Sequence, residues 1–350
     1  MDEQEAAKEL VARVEPPPAP RDPWFDNAKM VLVTLVVVGH GWTLLPRTTT
    51  VDWIYDFLYF WHVPAFVLIT GYLSRSFEYT RPRVWNLIRT VLVPYLLFEL
   101  LLGWFRIYVG GETLRLLWIN PHWPMWYLSA LFFWRLLTPG LKRMRWSIAA
   151  AVVISIITGA RGIEVFDIAR VLGLLPFFVI GLRMRPEHFV ALRTRTARIW
   201  GVITLVVLFG IARANDWLWS TEWLYYRSNY SDLESSEAQA MLIRACLLLI
   251  GTLGAFAFFT LIPARRTWFT SLGAATLVVY LCHGFFIKGA AYAGLPAWAD
   301  HHPWWGLILV TPACVALAIW LARPWSARWL GYLVDPIGAI KELRLRLRTD

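Results

Sequence analysis

Apolar runs of helical length follow one another along almost the whole chain, separated by short polar or basic segments. A transmembrane helix needs about 20 apolar residues to cross roughly 30 Å of hydrocarbon. The pattern therefore predicts an all-α integral membrane protein, a bundle of about ten transmembrane helices. The predicted spans are approximately residues 28–45, 53–74, 84–105, 122–138, 146–159, 165–182, 197–213, 240–262, 269–289 and 304–322.

Composition and charge support this class. The 350 residues are 58% hydrophobic and only 17% charged, and the net charge is +10. The lysines and arginines cluster at alternate ends of the predicted spans, so the positive-inside rule predicts that both termini are cytoplasmic, with an even number of spans. The same distribution explains the positive charge without nucleic acid, and the basic face suits anionic lipid headgroups. We expect a multi-pass protein of the cell (plasma) membrane.

Three regions follow from this pattern. Residues 1–27 contain an acidic segment and the proline-rich "EPPPAP", and we predict a disordered cytoplasmic tail. Residues 28–325 form the transmembrane domain, and residues 326–350 form a basic cytoplasmic tail. The longest external loop, at about 214–239, is aromatic and acidic. It could be a lid, part of an acceptor site, or a segment lying on the headgroups.

The first span contains two ionisable residues, Lys29 and His40, which are eleven residues apart. At 100° and 1.5 Å per residue they share a helix face and lie roughly 16 Å apart along it. With the predicted orientation, Lys29 lies at the cytoplasmic mouth and His40 toward the outer side. Ionisable residues within a membrane usually face a cavity or a partner. A hydrogen-bonded structural histidine and a snorkelling lysine are the alternatives.

Three more histidines lie at a similar depth to His40 in the predicted bundle: His62, His122 and His283. Together with Lys29 and Arg75 they predict a polar shaft from the cytoplasm to the outer leaflet. None of the four histidines is at helical ligand spacing from another, and no carboxylate accompanies them at ligand spacing, so no metal is expected. The sequence leaves open the pairing of further charged residues in the bundle, Glu99, Glu164, Asp167 and Arg170.

Four segments, in this order, resemble membrane acyltransferase family 3, and specifically its fucose-4-O-acetylase-like members. They are the run from "RDPWFDNAK" to "VVVGHG", then "FWHVPAFVLITGYLSR", "PMWYLSALFFW" and "VVYLCHGF". The resemblance covers roughly residues 22–325. It implies a ten-helix O-acyltransferase that moves an acyl group, with acetyl favoured, from cytoplasmic acetyl-CoA or another acyl-CoA. The acceptor would be a hydroxyl of an extracytoplasmic sugar, glycan or glycolipid.

The resemblance makes His40 the catalytic residue, and its imidazole can act as a base or carry the acyl group itself. Lys29 occupies the position where arginine is usual, and it offers a point charge rather than a planar fork. The expected substrate-binding residues are His62, His122, Trp126, Tyr127 and His283. The expected acyl-CoA-binding residues are Lys29, Arg75, Arg81 and Arg83. The alternative is a transporter or flippase with a histidine proton relay.

Overall fold

The computed structural model describes residues 22–114, 118–159, 165–214, 220–233 and 235–347, apart from the side chains of 342–346. All regular structure within these ranges is helical. The helices are α1 (Pro23–Trp42), α2 (Thr49–Ser74), α3 (Arg81–Tyr108), α4 (Trp126–Arg143), α5 (Ser147–Thr158), α6 (Ile168–Gly173), α7 (Leu175–Arg183), α8 (Pro186–Leu192), α9 (Arg195–Arg213), α10 (Glu237–Leu261), α11 (Thr276–Tyr292), α12 (Leu295–His301), α13 (Pro303–Ala322), α14 (Pro324–Val334) and α15 (Pro336–Arg346).

Helices occur at all the predicted apolar runs, but their lengths differ from the prediction. In the described ranges six helices are long and apolar enough to cross a membrane, or seven if the bent pair α6 and α7 is one span. Helix α5 has only 12 residues, and α4 contains three basic residues within its 18. The chain is therefore a helical multi-pass membrane protein. The number of ten spans and the cytoplasmic side of the termini stay predictions.

The first helix begins at Pro23, earlier than the predicted span. The Asp22 side chain accepts a hydrogen bond of 3.0 Å from the Trp24 N–H, and proline is favoured in the first helical turn. The last residues of the predicted 1–27 tail therefore lie in α1, and residues 1–21 are outside the described ranges. Much of the predicted 326–350 tail lies in α14 and α15.

A buried asparagine fixes the beginning of α1 to another part of the bundle. The Asn27 side-chain amide donates to the carbonyl oxygens of Pro263 and Arg265, at 2.9 and 3.0 Å. Its carbonyl accepts from the hydroxyls of Thr267 and Thr270. All of its hydrogen-bonding capacity is used, so it can be fully buried without the cost of an unpaired amide. Lys29 follows Asn27 by about half a helical turn, so fixing Asn27 also fixes the position of Lys29 in the bundle.

Three features interrupt regular α-helical geometry, and two of them lie at or near a proline. Pro64 lies inside α2, where it removes one backbone hydrogen bond. Helix α3 contains a π-helical turn at Ile88–Leu92, directly before Pro94. The axes of α6 and α7 meet at 56°. Such interruptions change the helical register of the side chains that follow, which sequence periodicity cannot show.

The centre of the bundle is closely packed around α1 and α2. A Cβ atom at Gly181 of α7 would lie 1.8 Å from the carbonyl oxygen of Leu68 in α2. A Cβ atom at Gly41 of α1 would lie 2.3 Å from Cys314 Sγ in α13. Only glycine permits these approaches. Close packing therefore positions α1 between α2 and α13.

The long helices alternate in direction, so the molecule has two ends. We name them the Lys29 end and the His40 end, after the two ionisable residues of α1. Asp22 and Arg193 pair at the Lys29 end at 2.5 Å. Thr221 donates to the Asp56 carboxylate at the His40 end at 2.8 Å. The connections of α1 to α2 and of α10 to the segment 220–233 lie at this second end.

Candidate functional site

His40 is paired with His283. Its Nδ1 atom lies 2.7 Å from His283 Nε2, and the two rings are stacked with an interplanar angle of 19°. His283 Nδ1 lies 3.1 Å from the Val279 carbonyl oxygen, which can only accept, so this nitrogen carries a proton. In the neutral pair His283 Nε2 is therefore the acceptor and His40 Nδ1 the donor. This arrangement leaves the lone pair of His40 on Nε2.

The neighbours of His40 restrict its ring. Trp123 packs against the imidazole, with ring centroids 4.5 Å apart. A Cβ atom at Gly39 would lie 3.1 Å from the Tyr59 ring, so this glycine lets Tyr59 approach α1. His40 is 8% exposed, and the remaining exposure faces a cavity. The ring is therefore held in one orientation with one edge accessible.

This cavity, which we call the histidine cavity, has a volume of about 280 Å³ and is lined by His40, His62 and Arg170 among its polar residues. Most of its wall is aromatic, and such rings offer flat faces to a sugar while their hydroxyl or indole groups form hydrogen bonds. The aromatic residues of the wall are Tyr55, Tyr59, Phe66, Trp123, Trp126, Tyr127, Tyr225 and Tyr280.

One face of α2 supplies much of the wall. Tyr55, Tyr59, His62 and Phe66 follow one another at helical spacings of four, three and four residues, so they lie in one row. His62 Nδ1 lies 2.8 Å from the Leu58 carbonyl oxygen and is therefore protonated, which leaves Nε2 as an acceptor in the neutral ring. The cavity thus contains two histidine rings, each with a fixed tautomer.

Arg170 is the buried cation of the histidine cavity. Its Nε donates to the Tyr225 carbonyl oxygen at 3.0 Å, and its Nη1 pairs with Asp167 at 3.0 Å. The guanidinium carbon lies 4.6 Å from the centroid of the Trp126 ring. These contacts use part of the guanidinium fork and leave the side chain in the cavity wall, where it can bind an anionic or hydroxyl oxygen.

The segment 220–233 covers the histidine cavity at the His40 end. Glu222, Leu224, Tyr225 and Arg227 line the cavity. The Tyr225 hydroxyl lies 2.9 Å from the Tyr55 hydroxyl. This part of the predicted 214–239 loop therefore forms a wall of the site, whereas residues 215–219 and 234 are outside the described ranges.

A second cavity lies toward the Lys29 end. We call it the lysine cavity; it has a volume of about 220 Å³, and its cations are Lys29 from α1 and Arg135 from α4. Lys29 pairs with Asp26 at 2.8 Å, and Thr70 and Thr90 also line the cavity. Two cations in an otherwise apolar cleft suit an elongated anionic ligand.

Of the predicted substrate-binding residues, His122 lies elsewhere. His122 Nδ1 is 2.5 Å from the Glu99 carboxylate, which also accepts from the His122 backbone N–H at 2.9 Å. Trp126, Tyr127 and His62 line the histidine cavity, and His283 contacts it through His40. The open pairings are thus Glu99 with His122 and Asp167 with Arg170. Glu164 is outside the described residues.

The three arginines predicted for the acyl-CoA rim lie at the exposed Lys29 end. Arg75 lies over the Tyr72 ring at 3.7 Å, and Arg83 pairs with Glu78 at 2.9 Å. Arg81 is exposed at the first turn of α3. Among the residues that the structure describes, the lining of the two cavities does not include these three. Arg135 is the arginine that does reach the lysine cavity.

An ionic cluster supports the His40 end from outside the cavity. Glu112 accepts hydrogen bonds from Arg106, Lys288 and Tyr292 at 2.5 to 3.0 Å. Lys288 Nζ in turn lies 5.9 Å from the Trp123 ring centroid. Partial burial raises the pKa of Glu112, but these hydrogen bonds outweigh it and lower the pKa to about 2. The cluster joins α3, the following loop and α11 behind Trp123.

Sequence reasoning missed several wall residues. Tyr55 and Tyr59 repeat at helical spacing with His62, and this periodicity could have identified them. Tyr280 lies three residues before His283 and could have been found in the same way. Arg135, which lies within α4, was not among the predicted acyl-CoA-binding residues. Within the described ranges the structure contains no group of three or more His, Cys, Asp or Glu side chains able to hold a metal.

Comparison with known proteins identifies the family. The family model described as "Acyltransferase domain" matches residues 22–323. No curated protein and no solved structure matches the chain at a significant level. The match covers most of the chain, including both cavities and all the histidines discussed above. The chain belongs to membrane acyltransferase family 3.

Proposed function

We propose that this membrane acyltransferase transfers an acetyl group, or another short acyl group, from cytoplasmic acyl-CoA to a hydroxyl of an extracytoplasmic sugar, glycan or glycolipid. The observation that carries the proposal is the His40–His283 pair, which leaves the lone pair of His40 on Nε2, in a ring that lines an aromatic cavity. The acyltransferase family gives the class of reaction, and the site geometry suggests how this chain performs it.

His40 is the general base in this proposal. Its Nε2 takes the proton from the acceptor hydroxyl while that oxygen attacks the thioester carbonyl carbon. The carbon–sulfur bond then breaks, and the proton passes from Nε2 to the departing thiolate. His283 accepts a hydrogen bond from His40 Nδ1 throughout, so it maintains the tautomer and stabilises the transient positive charge of the ring.

The acceptor occupies the histidine cavity in this proposal. Its aromatic wall suits the faces of a sugar ring, and the Arg170 guanidinium lies over the Trp126 ring. His62 Nε2 and the Arg170 guanidinium offer an acceptor and donors for sugar hydroxyls. Segment 220–233 encloses the acceptor from the His40 end.

The donor enters from the Lys29 end in this proposal. Lys29 and Arg135 line one cavity and supply positive charge for the phosphates of acyl-CoA. The exposed Arg75, Arg81 and Arg83 extend the positive charge at this end. This arrangement requires that the Lys29 end is cytoplasmic, as the distribution of basic residues predicts, in the plasma membrane of the cell.

Replacing His40 tests the proposal. We expect His40→Ala to lower acyl transfer by about 10²–10⁴-fold, the range for general acid–base catalysis, because the proposed base is lost. The measurement is transfer of labelled acetyl from acetyl-CoA to envelope glycans by purified protein in lipid, at equal expression. His301→Ala, at an exposed histidine of α12, is the matched control.

Activity of His40→Ala close to that of the wild type would contradict the base assignment. Label on the protein in the absence of an acceptor would instead indicate an acyl-histidine route through the same Nε2. Proton-coupled movement of a substrate without any acyl transfer by the wild type would favour the transporter alternative and overturn the proposed function.

A further inference from the structure

The two cavities are neighbours that share a wall. Phe66 from α2, Tyr127 from α4 and Tyr280 from α11 line both the histidine cavity and the lysine cavity. Their rings are in contact: the Tyr127 centroid lies 5.0 Å from that of Phe66 and 5.5 Å from that of Tyr280. We call these three rings the aromatic partition. It lies between Lys29 and His40, which belong to different cavities but to the same helix.

Hydrogen bonds hold Tyr127 in the partition. The Thr70 hydroxyl donates to the Phe66 carbonyl oxygen at 2.8 Å, so it can only accept from Tyr127. The Tyr127 hydroxyl is the donor to Thr70, and the Tyr280 hydroxyl donates to the Pro124 carbonyl oxygen. All three contacts are internal to the wall. Both tyrosine hydroxyls are therefore bonded to protein atoms, and these bonds hold the two rings between the cavities.

Tyr127 is the central member of the partition, because its ring contacts those of both Phe66 and Tyr280. Phe66 and Thr70 belong to the central helix α2, and the Tyr280 ring contacts both Tyr127 and His283. Tyr127 lies in the first turn of α4, and one side-chain hydrogen bond anchors its hydroxyl.

We infer that Tyr127 determines which acyl groups reach His40, because its ring closes the passage between the lysine cavity and the histidine cavity. The inference rests on the proposed function and limits the acyl donor to those with a short, unbranched acyl group. A ring that moves aside by one rotamer opens a narrow passage, which admits a short acyl group and the thin thioester arm but excludes longer or branched acyl groups. Thr70 positions Tyr127 through the hydroxyl bond.

An accessibility measurement tests the partition without any acyl transfer. Val63 lines the histidine cavity and is absent from the lining of the lysine cavity. Val63→Cys, with the three native cysteines replaced by alanine, is treated with a membrane-impermeant sulfonate thiol reagent in vesicles of either orientation. We expect reaction from the His40 end alone when Tyr127 is present. Tyr127→Ala should raise the rate from the Lys29 end about tenfold or more.

Phe132→Ala is the matched control, because Phe132 is a partly buried aromatic residue of the same helix outside both cavities. It should leave the labelling unchanged. Equal labelling from the Lys29 end with and without the Tyr127 ring would overturn the inference. Tyr127→Phe keeps the ring and loses only the bond to Thr70, so it should give an intermediate rate and guards against loss of folding in Tyr127→Ala.

A second measurement compares acyl groups. We expect Tyr127→Ala to raise the ratio of butyryl to acetyl transfer by about tenfold, within the range for one or two methylene groups in a restricted site. Phe132→Ala should leave this ratio at the wild-type value. An unchanged ratio in an active Tyr127→Ala protein would contradict the inference alone. Absence of transfer in the wild type would instead contradict the proposed function, and the labelling result would still test the partition.

Discussion

At the scale of single residues, the ring nitrogens of His283 decide what His40 can do. The Val279 carbonyl oxygen accepts a hydrogen bond from the N–H at His283 Nδ1, so His283 Nε2 accepts from His40 Nδ1. The Val279 backbone oxygen thereby determines which nitrogen of His40 is reactive, through the two hydrogen bonds that connect it to His40 by way of His283. His283 is a positioning residue in this arrangement, because it acts on substrate only through His40.

Replacing His283 separates this positioning role from simple packing. We expect His283→Leu to lower the turnover number by about 10²-fold with little change in the KM for either substrate, because the hydrogen bond that fixes the tautomer is lost. His283→Gln should recover a large part of the activity, since its amide oxygen can accept from His40 Nδ1. The measurement is steady-state kinetics at equal expression.

Equal activity of the leucine and glutamine variants would contradict the positioning role, because packing alone does not distinguish an acceptor from an apolar side chain. A change confined to KM would assign His283 to substrate binding instead.

At the scale of elements, the loop after α3 is tied to α11 through one carboxylate. Glu112 joins Arg106 of α3 to Lys288 and Tyr292 of α11. Lys288 approaches the face of Trp123, which in turn packs on His40. The ends of α3 and α11 are thus held together by a carboxylate that follows the membrane-spanning segment of α3, where water and pH can act on the contact.

The Glu112 cluster predicts a pH-dependent stability. A carboxyl whose pKa is lower in the folded state stabilises the fold above its unfolded pKa, and this contribution is lost as the pH falls toward the folded value. For Glu112 the window runs from about 4.5 down to about 2. Glu112→Gln should therefore have a lower Tm than the wild type above pH 5, and this difference should disappear near pH 2.

Thermal unfolding in detergent across this pH range measures the difference. Glu78→Gln is the control, because Glu78 is more exposed and pairs only with Arg83 on the surface. A Tm difference for Glu112→Gln that is constant with pH would show that charge at this position does not stabilise the cluster.

At the scale of the whole molecule, the two cavities are stacked along α1, one around Lys29 and one around His40. The alternating helices place the connection of α4 to α5 at the Lys29 end and the segment 220–233 at the His40 end. The proposed reaction needs these ends on opposite sides of the membrane, because the donor and the acceptor come from different compartments.

Single cysteines test this topology. We expect Met144→Cys to react with an impermeant maleimide only from the cytoplasmic side and Asp232→Cys only from the opposite side, in a background without native cysteines. Both positions are exposed. Reaction of the two cysteines from the same side, or the reverse assignment, would remove the basis for a cytoplasmic donor entrance.

The sequence by itself determined the class of the molecule and much of its chemistry. Long apolar runs are helical in lipid because their backbone groups must be satisfied within the segment, so the helices could be predicted without tertiary information. The ordered motifs indicated the acyltransferase family, which the family match confirms. Helical geometry alone predicted that Lys29 and His40 share one helix face but lie too far apart to touch.

Only the tertiary structure decided which residues meet across helices. The hydrogen bond from His40 to His283 joins positions 243 residues apart. His122 pairs with Glu99 instead of lining the histidine cavity because α3 packs beside the loop before α4. The partition around Tyr127 requires three helices at once. Local periodicity gives the face on which a side chain lies, but the facing partner is set by long-range packing, which no single helix encodes.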